Sequence, residues 1–248
     1  MHKSAMQTGR WFFEQYAPFF NGIDQPSIVD VGSMDVNGSL RQTAPEGFTY
    51  TGVDFAPGPG VDLVLSDPYV LPFENDSVDV VVSSSCFEHS ELFWVSFLEI
   101  LRILKPRGLF YLNAPSNGNY HRYPVDCWRF YPDCGGALIT WAKRNGYRAA
   151  LLESFVGNQV GDAWNDFVAV FLKDEDLVPL VPAGILDRTS AYRNGIRIGS
   201  DSILNESAYT EDQSIRHNLT AQLEAYTRKS GWQRVRQKIN HKLGKMFS

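Results

Sequence analysis

The chain has 248 residues, of which 44% are apolar and 21% are charged, and its formal net charge is −5. These values are typical of a soluble globular protein, and the length allows one ordinary domain with additional segments. The longest apolar runs fall well short of the roughly 18 residues of a membrane helix, and residues 1–10 are too polar for a signal peptide. The composition argues against a membrane-spanning or low-complexity chain and predicts a cytoplasmic protein.

Cysteine usage and charge distribution argue against further classes of protein. Cys86, Cys127 and Cys134 form no CxxC pair, and their odd number favours reduced thiols over a disulfide framework. No Cys/His pair has zinc-ligand spacing and no acidic cluster has convincing spacing, so no metal site is predicted, and a divalent metal at the acceptor is left as an alternative. Residues 225–248 contain seven Lys/Arg and no acid, which leaves 16 basic and 28 acidic residues, a net charge of −12, elsewhere. This acidic body argues against a general nucleic-acid binder.

The predicted elements begin with an aromatic stripe at helical spacing within residues 1–26, followed by alternating strands and helices. Val-rich runs bounded by Gly, Pro, Asp and Ser predict strands at 27–32, 49–53, 62–65, 78–83, 109–113, 148–153 and 167–173. Helices are predicted at 92–104 and 135–145. Because the strands are almost continuously apolar, we expect an α/β fold with a mostly parallel sheet covered on both faces.

Residues 174–248 predict a loop-rich and then helical C-terminal extension. Pro and Gly punctuate its first part, a helix is predicted at 210–229, and Gly231 is expected to end that helix. A second apolar stripe then lies opposite the basic side chains; it consists of Trp232, Val235, Ile239, Leu243 and Met246. Such a basic amphipathic tail predicts either peripheral contact with an anionic membrane or a docking helix that forms a homodimer.

A cofactor site is predicted where the first two strands end. Gly32 follows the first strand and lets a ligand approach the backbone, and Asp54 follows the second strand about twenty residues later. A carboxylate at that position can accept both hydroxyls of a ribose. The chain lacks a full G-x-G-x-x-G, which argues against a nicotinamide cofactor bound through its diphosphate.

Five further segments complete a family pattern: Ile28-Val29-Asp30-Val31-Gly32, Asp67, Leu71-Pro72-Phe73, Glu88-His89 and Leu104-Lys105-Pro106-Arg107-Gly108. In this order they resemble the class I S-adenosylmethionine-dependent methyltransferases, in the type 11-like branch, over roughly residues 27–173. The resemblance implies a Rossmann-like fold with a central seven-stranded sheet and S-adenosyl-L-methionine as cofactor. It also implies an N-terminal helical lid over residues 1–26, to which a helix simply packed on the core is the alternative.

The resemblance assigns cofactor contacts to Asp30, Gly32, Ser33, Asp54, Phe55, Ser66, Asp67, Pro68, Ser84 and Ser85. Asp30 would orient the glycine loop or contact the cofactor amino group, and Ser84 and Ser85 would face the methionine part. Asp67 would accept from the adenine amine, unless it only forms an Asp-Pro turn. The middle glycines of the usual loop are absent between Gly32 and Gly38, which keeps a degenerate binding or scaffold subunit as an alternative.

The segment after the fifth strand predicts the acceptor site. Residues 121–130 resemble the H-x-x-P-x-D-x-W-R-F stretch of bacterial methyltransferases associated with glycans and cell-surface polysaccharides. The candidate bases are His121, Asp126 and His89, and the last of these has loop bracing as its alternative. Substrate contacts are predicted at Tyr120, Arg122, Trp128 and Arg129. The alternative is that the aromatic side chains pack under the loop while Arg129 pairs with Asp126.

These features predict O-methylation of a sugar or glycan intermediate, with methylation of another small molecule at O, N or C as the alternative. Ser83-Ser84-Ser85-Cys86 stands where amide and adenine N-methyltransferases carry an Asn-Pro-Pro-Tyr-type tetrapeptide. Protein and nucleic-acid substrates are therefore less favoured, and the expected partner is a small-molecule or glycan acceptor.

Overall fold

The computed structural model of the protein describes the backbone of residues 2–246 and the side chains of residues 2–228. Within these residues the strands are β1 (Ser27–Val31), β2 (Thr49–Asp54), β3 (Leu63–Val64), β4 (Val78–Ser84), β5 (Leu104–Pro115), β6 (Ala150–Gly157), β7 (Asp166–Leu172) and β8 (Tyr192–Arg197). The helices are α1 (Lys3–Tyr16), α2 (Phe93–Ile103), α3 (Asp133–Arg144), α4 (Ile185–Arg188) and α5 (Glu211–Met246).

The eight strands form a sheet in the order β3-β2-β1-β4-β5-β7-β6-β8. Neighbouring strands from β3 to β5 are parallel, whereas β7 runs antiparallel between β5 and β6, and β8 runs antiparallel to β6. The predicted mostly parallel, Rossmann-like sheet is thus confirmed. The chain leaves β1 toward β2 on one side and returns through β4 on the other, so the strand order reverses between β1 and β4.

Side chains alternate between two apolar layers because successive residues of a strand point to opposite faces. Along β5, Leu109 and Tyr111 pack in the layer that contains α1, while Phe110 and Leu112 pack in the layer that contains α2 and α3. Both faces of the sheet are therefore covered, as predicted.

Helix α1 packs on the sheet through its aromatic residues. Phe12, Phe13 and Tyr16 are buried, and the ring of Phe12 lies 4.8 Å from that of Tyr111 on β5. The buried carboxylate of Glu153 on β6 accepts a hydrogen bond of 2.8 Å from the Tyr16 hydroxyl. The helix therefore has the core-packing role that was the alternative to a lid, and the lid role stays a prediction.

An eighth strand was missed by the sequence analysis. β8 lies in the segment predicted to be loop-rich, and its Asn194-Gly195 interior made the strand pattern weak. Its pairing with β6 extends the first compact unit to Glu206, which differs from the predicted division after residue 173. β8 supplies hydrogen-bond partners to the backbone groups at the edge of β6. The sequence pattern of a single strand does not show that another strand covers this edge.

The second compact unit, residues 207–248, contains α5. This helix continues through Gly231, so the prediction that Gly231 ends it was wrong. A single glycine costs a helix only about 1 kcal/mol, which neighbouring turns can offset. The apolar side chains of α5 include Ile215, Leu219, Leu223 and Tyr226, and all four are exposed. The second stripe, from Trp232 to Met246, and its membrane or dimer role lie outside the residues whose side chains are described.

Within residues 2–246, no helix combines the length and hydrophobicity needed to span a bilayer.

Candidate functional site

A cavity of about 570 Å³ opens at the carboxyl ends of β1, β2 and β4. This is the edge where an open α/β sheet with a strand-order reversal binds its ligands. Eleven of the residues predicted for the site line the cavity: Asp30, Gly32, Ser33, Asp54, Phe55, Ser66, Pro68, Ser84, Ser85, His89 and His121. The fold thus gathers the predicted cofactor positions and two predicted bases around one space.

The turn after β1 is built around Gly32. Its backbone has φ +82°, and a Cβ there would lie 2.5 Å from Sγ of Cys86. The amide groups of Gly32 and Ser33 both donate to the carbonyl of Val53, at 2.9 and 3.1 Å. Only glycine fits both the left-handed backbone and the contact with Cys86, so the missing middle glycines do not prevent a tight turn.

Two acids flank this turn in different ways. Asp54 is buried, and each of its carboxylate oxygens accepts one backbone amide, from Met34 at 3.2 Å and Ala56 at 3.3 Å. A carboxylate has about four acceptor positions, so Asp54 retains capacity for ligand hydroxyls. Asp30 accepts from the Tyr50 hydroxyl at 2.7 Å, and burial raises the pKa of Asp30 to about 7.

Other groups around the cavity also retain binding capacity. Ser33 Oγ is buried and has no hydrogen-bond partner among the described residues. The Phe55 side chain is 50% exposed at the cavity wall. Ser84 donates to Asn113 Oδ1 at 3.3 Å, while Ser85 adopts φ +52° at the end of β4. An aromatic ring, a hydroxyl and a carboxylate therefore face one space with few internal partners.

Asp67 departs from its predicted place. It does not line the cavity, although its neighbours Ser66 and Pro68 do. Its carboxylate accepts from the amide of Tyr69 at 2.8 Å, which is the Asp-turn geometry of the alternative interpretation. A turn acid before a proline has the same sequence signal as a binding acid, so position alone could not separate the two.

The acceptor segment, defined as residues 115–131, crosses the cavity mouth. The carbonyl of Glu88 accepts from the amides of Cys127 and Trp128, at 2.8 and 3.2 Å. The Tyr123 hydroxyl lies 3.7 Å from Sδ of Met34, so this segment contacts the turn after β1. These contacts hold the acceptor segment beside the residues that line the cavity.

Asp126 does not line the cavity. Its hydrogen bonds hold the acceptor segment together and do not place its carboxylate as a base. Its carboxylate is 2% exposed, binds Arg129 at 2.6 and 2.9 Å, and accepts from the His121 amide at 2.7 Å. The Arg129 guanidinium lowers the pKa of Asp126 to about 2. A carboxylate with so low a pKa is a weak proton acceptor near neutral pH.

The predicted substrate contacts likewise lie away from the cavity lining. Trp128 donates to the carbonyl of Ser90 at 2.8 Å and packs edge-on against Phe93. Arg129 bridges Asp126 and the carbonyl of Asn119. Tyr120 is 75% exposed, and Arg122 donates to the carbonyl of Pro124 at 3.1 Å. The packing alternative therefore describes Trp128 and Arg129, because their polar groups are bonded within the acceptor segment and its supports.

Two imidazoles remain at the cavity. The rings of His89 and His121 meet edge to face with centroids 4.9 Å apart. Nδ1 of His89 contacts the carbonyl of Val125, and Nδ1 of His121 lies 3.0 Å from the carbonyl of Asn119. Since a carbonyl oxygen only accepts, each Nδ1 carries the proton and each Nε2 presents a lone pair. Burial lowers the pKa of His89.

Some residues of the site had no sequence signal. Tyr69, Tyr123, Val125 and Met34 line the cavity because loops distant in the sequence meet there. Glu88 is 1% exposed, and burial raises the pKa of its carboxyl group to about 8. Its Oε1 lies 3.7 Å from Nε2 of His89. The Glu88-His89 pair was noticed in the sequence, but the burial of Glu88 could not be read from it.

Comparison with known proteins identifies part of the chain. Residues 29–112 match a family described as "Methyltransferase domain". A phthiotriol/phenolphthiotriol dimycocerosates methyltransferase from Mycobacterium leprae is 32% identical over 93 residues, which cover 32% of this chain and 33% of that protein. The alignment thus spans about a third of the length of that relative.

One solved structure shares the fold at low identity, and a second is more distantly similar. A protein assigned as a sarcosine dimethylglycine methyltransferase from Galdieria sulphuraria has a TM-score of 0.50 and 16% identity, covering 68% of this chain and 86% of that one. A 1,6-didemethyltoxoflavin-N1-methyltransferase from Burkholderia thailandensis, solved with S-adenosylhomocysteine, has a TM-score of 0.48 and 14% identity, covering 69% and 79%. Residues 29–112 thus match a methyltransferase domain within a class I methyltransferase fold, and the match supports S-adenosylmethionine as the cofactor.

Proposed function

We propose that the protein is an S-adenosylmethionine-dependent O-methyltransferase whose acceptor is a hydroxyl of a sugar or glycan intermediate. One observation carries the proposal: a single cavity is lined by groups suited to a cofactor, including Asp54 and the unpartnered hydroxyl of Ser33, and by the imidazoles of His89 and His121. The matched methyltransferase domain supplies the cofactor class for this arrangement.

The cofactor wall suits the parts of S-adenosylmethionine. Asp54 has acceptor capacity for the ribose hydroxyls, and the exposed ring of Phe55 offers a stacking surface for adenine. The bend at Gly32 and the unpartnered hydroxyl of Ser33 leave room and a hydrogen-bonding group beside the methionine part. No phosphate is present in this cofactor, which agrees with a turn lacking a full G-x-G-x-x-G.

The acceptor wall suits an alcohol more than an amine. A hydroxyl is a poor nucleophile until its proton is removed, whereas a neutral amine attacks without a base. In the proposed reaction an oxygen–carbon bond forms as the sulfur–methyl bond breaks, and the sulfonium becomes the thioether S-adenosylhomocysteine. The hydroxyl proton passes to an imidazole, for which the cavity offers Nε2 of His121 and His89.

The acceptor segment supports the proposal of a sugar or glycan acceptor. Its His-x-x-Pro-x-Asp-x-Trp-Arg-Phe pattern resembles that of glycan-associated bacterial methyltransferases. The exposed Tyr120 and Tyr123 at this side provide flat surfaces of the kind on which sugar rings stack.

Calorimetric titration with S-adenosylmethionine and S-adenosylhomocysteine, followed by methyl-transfer assays on sugar nucleotides and free glycans, tests the proposal. Micromolar cofactor binding and a methyl ether on the product are expected. His121→Ala and His89→Ala should lower turnover while cofactor affinity stays unchanged. A well-folded protein that binds neither compound would contradict the proposal and would favour the scaffold alternative.

A further inference from the structure

The adjacent residues Glu88 and His89 meet His121, which lies about thirty residues further along the chain, beside the cavity. Glu88, His89 and His121 each offer a ligand atom, and these atoms all lie within 4.8 Å of one another. Ligand atoms on one cation, at bond lengths of about 2.1 Å, stand at most about 4.2 Å apart. Small rotations of the side chains would therefore bring all three onto one ion.

The orientation of both histidines fits metal ligation. Each Nδ1 faces a backbone carbonyl, that of Val125 for His89 and that of Asn119 for His121. Metal-ligating histidines are usually held in this way, since a bond to one ring nitrogen fixes the lone pair of the other. Asp126 adds a carboxylate 3.6 Å from Nδ1 of His121, held in place by Arg129.

A separate observation concerns Glu88. Its side chain is 1% exposed, and its Oε2 has no hydrogen-bond partner among the described residues. A buried carboxylate oxygen without a partner is costly unless a cation or donor reaches it. No backbone or side-chain group of the described residues bonds Oε2, while the other oxygen of the same carboxylate, Oε1, lies 3.7 Å from Nε2 of His89.

We propose that Glu88, His89 and His121 bind a divalent first-row transition-metal ion, such as Zn²⁺ or Mn²⁺, at the acceptor wall of the cavity. Two imidazoles and one carboxylate suit these ions, whereas Mg²⁺ and Ca²⁺ prefer oxygen ligands. Because His89 and His121 line the cavity, the remaining coordination positions face the space assigned to the acceptor.

The ion would activate the acceptor hydroxyl in the proposed reaction. This role of the site therefore rests on the proposed function. A hydroxyl bound to a divalent cation would have a lowered pKa and would lose its proton more readily. Its proton then leaves to solvent, and the resulting alkoxide attacks the methyl group. The histidines act as ligands in this scheme, and they keep the role of base only if no metal binds.

The test uses full-length, tag-free protein stripped of metal, titrated with Zn²⁺ and Mn²⁺ alone, with bound metal counted by elemental analysis. One ion per chain is expected, and Glu88→Gln and His121→Ala should weaken its binding by about tenfold or more. His217→Ala removes a histidine of α5 as the matched control and should bind like the unaltered protein. Absence of stoichiometric binding, or full binding by both site variants, would overturn the proposal.

Two measurements separate folding and function from metal binding. Co²⁺ added to the unaltered protein should give the visible absorption of a protein-bound ion, which needs no variant to fold, and a spectrum identical to that of free Co²⁺ would contradict the site. Titration with S-adenosylmethionine is run in parallel. Cofactor binding without metal binding would overturn this inference and leave the proposed function standing. Metal binding without cofactor binding would support the site and reject the proposed function.

Discussion

The cofactor wall and the acceptor segment contain similar polar residues but use them in opposite ways. At the cofactor wall, Asp30 is held by one hydroxyl group, and burial raises its pKa to about 7. In the acceptor segment, Asp126 is bonded to Arg129 and the His121 amide, and its pKa falls to about 2. The polar residues of the first region therefore keep groups that can bind a ligand. Those of the second region bond mainly to one another within the loop.

The difference has a structural reason. The cofactor residues follow strands, so the sheet holds their backbone and their side chains can remain unpaired. Residues 116–131 lie outside any helix or strand, and their shape depends on side-chain bonds such as those of Asp126, Arg129 and Trp128. A loop that supports itself in this way has few polar groups left for a substrate.

The largest expected effect separates Asp54 from Asp67. Asp54→Ala should weaken S-adenosylmethionine binding by at least about 100-fold, because two charge-assisted hydrogen bonds are worth roughly 1.5–3 kcal/mol each. Asp67→Ala is the matched control and should leave affinity nearly unchanged, since Asp67 does not line the cavity. Calorimetric titration measures both. Equal losses would show that the Asp67 turn also belongs to the cofactor site.

Removing the charge of Asp126, which bonds to Arg129 and to the His121 amide, should affect stability as well as turnover. Asp126→Asn should lower the free energy of unfolding by on the order of 2 kcal/mol at neutral pH, because it removes the charge that Arg129 binds. The pKa of Asp126 is lower in the folded protein than in the unfolded chain, so its stabilisation is present above about pH 4 and is lost as pH falls toward 2.

Urea unfolding at pH 7 and pH 3 checks this prediction, and the gap between Asp126→Asn and the unaltered protein should narrow at the lower pH. Arg122→Ala serves as the control, since Arg122 is exposed and bonds only to a nearby carbonyl. A stable Asp126→Asn variant with lost turnover would instead indicate that Asp126 acts in the chemistry.

Asp30 should show the opposite pH dependence. Its folded pKa, about 7, exceeds its unfolded value, so its favourable contribution is complete below about pH 4 and is lost as pH rises through 7. Asp30→Asn keeps an oxygen for the Tyr50 hydroxyl but cannot ionise. The melting temperature of the cofactor-free variant should therefore fall less between pH 5 and pH 8 than that of the unaltered protein. Identical slopes would contradict a raised pKa.

The smallest expected effect compares two exposed aromatic residues. Phe55→Ala should weaken S-adenosylmethionine binding about five- to tenfold, because a stacking contact contributes roughly 1 kcal/mol or slightly more. Tyr120→Ala, in the acceptor segment, should leave cofactor affinity unchanged while lowering affinity for a glycan acceptor. If both variants bind the cofactor normally, adenine does not stack on Phe55.

Local sequence was sufficient for the strands, the two main helices and the turn at Gly32. Apolar runs bounded by turn residues report burial directly, and a glycine after the first strand reports a close backbone approach. The role of Asp67 and the strand β8 could not be predicted, because an Asp-Pro turn and an Asn-Gly-containing strand have ambiguous local patterns.

The sequence by itself determined the class I fold and the cofactor class, and it predicts most residues of the cofactor wall, since these stand at strand ends in a fixed order. Only the tertiary structure decided that Asp126 and Arg129 bind each other and that Glu88, His89 and His121 converge. The physical reason is that pairing and burial depend on which loops meet across the cavity. The local sequence does not specify the distances between residues of different loops.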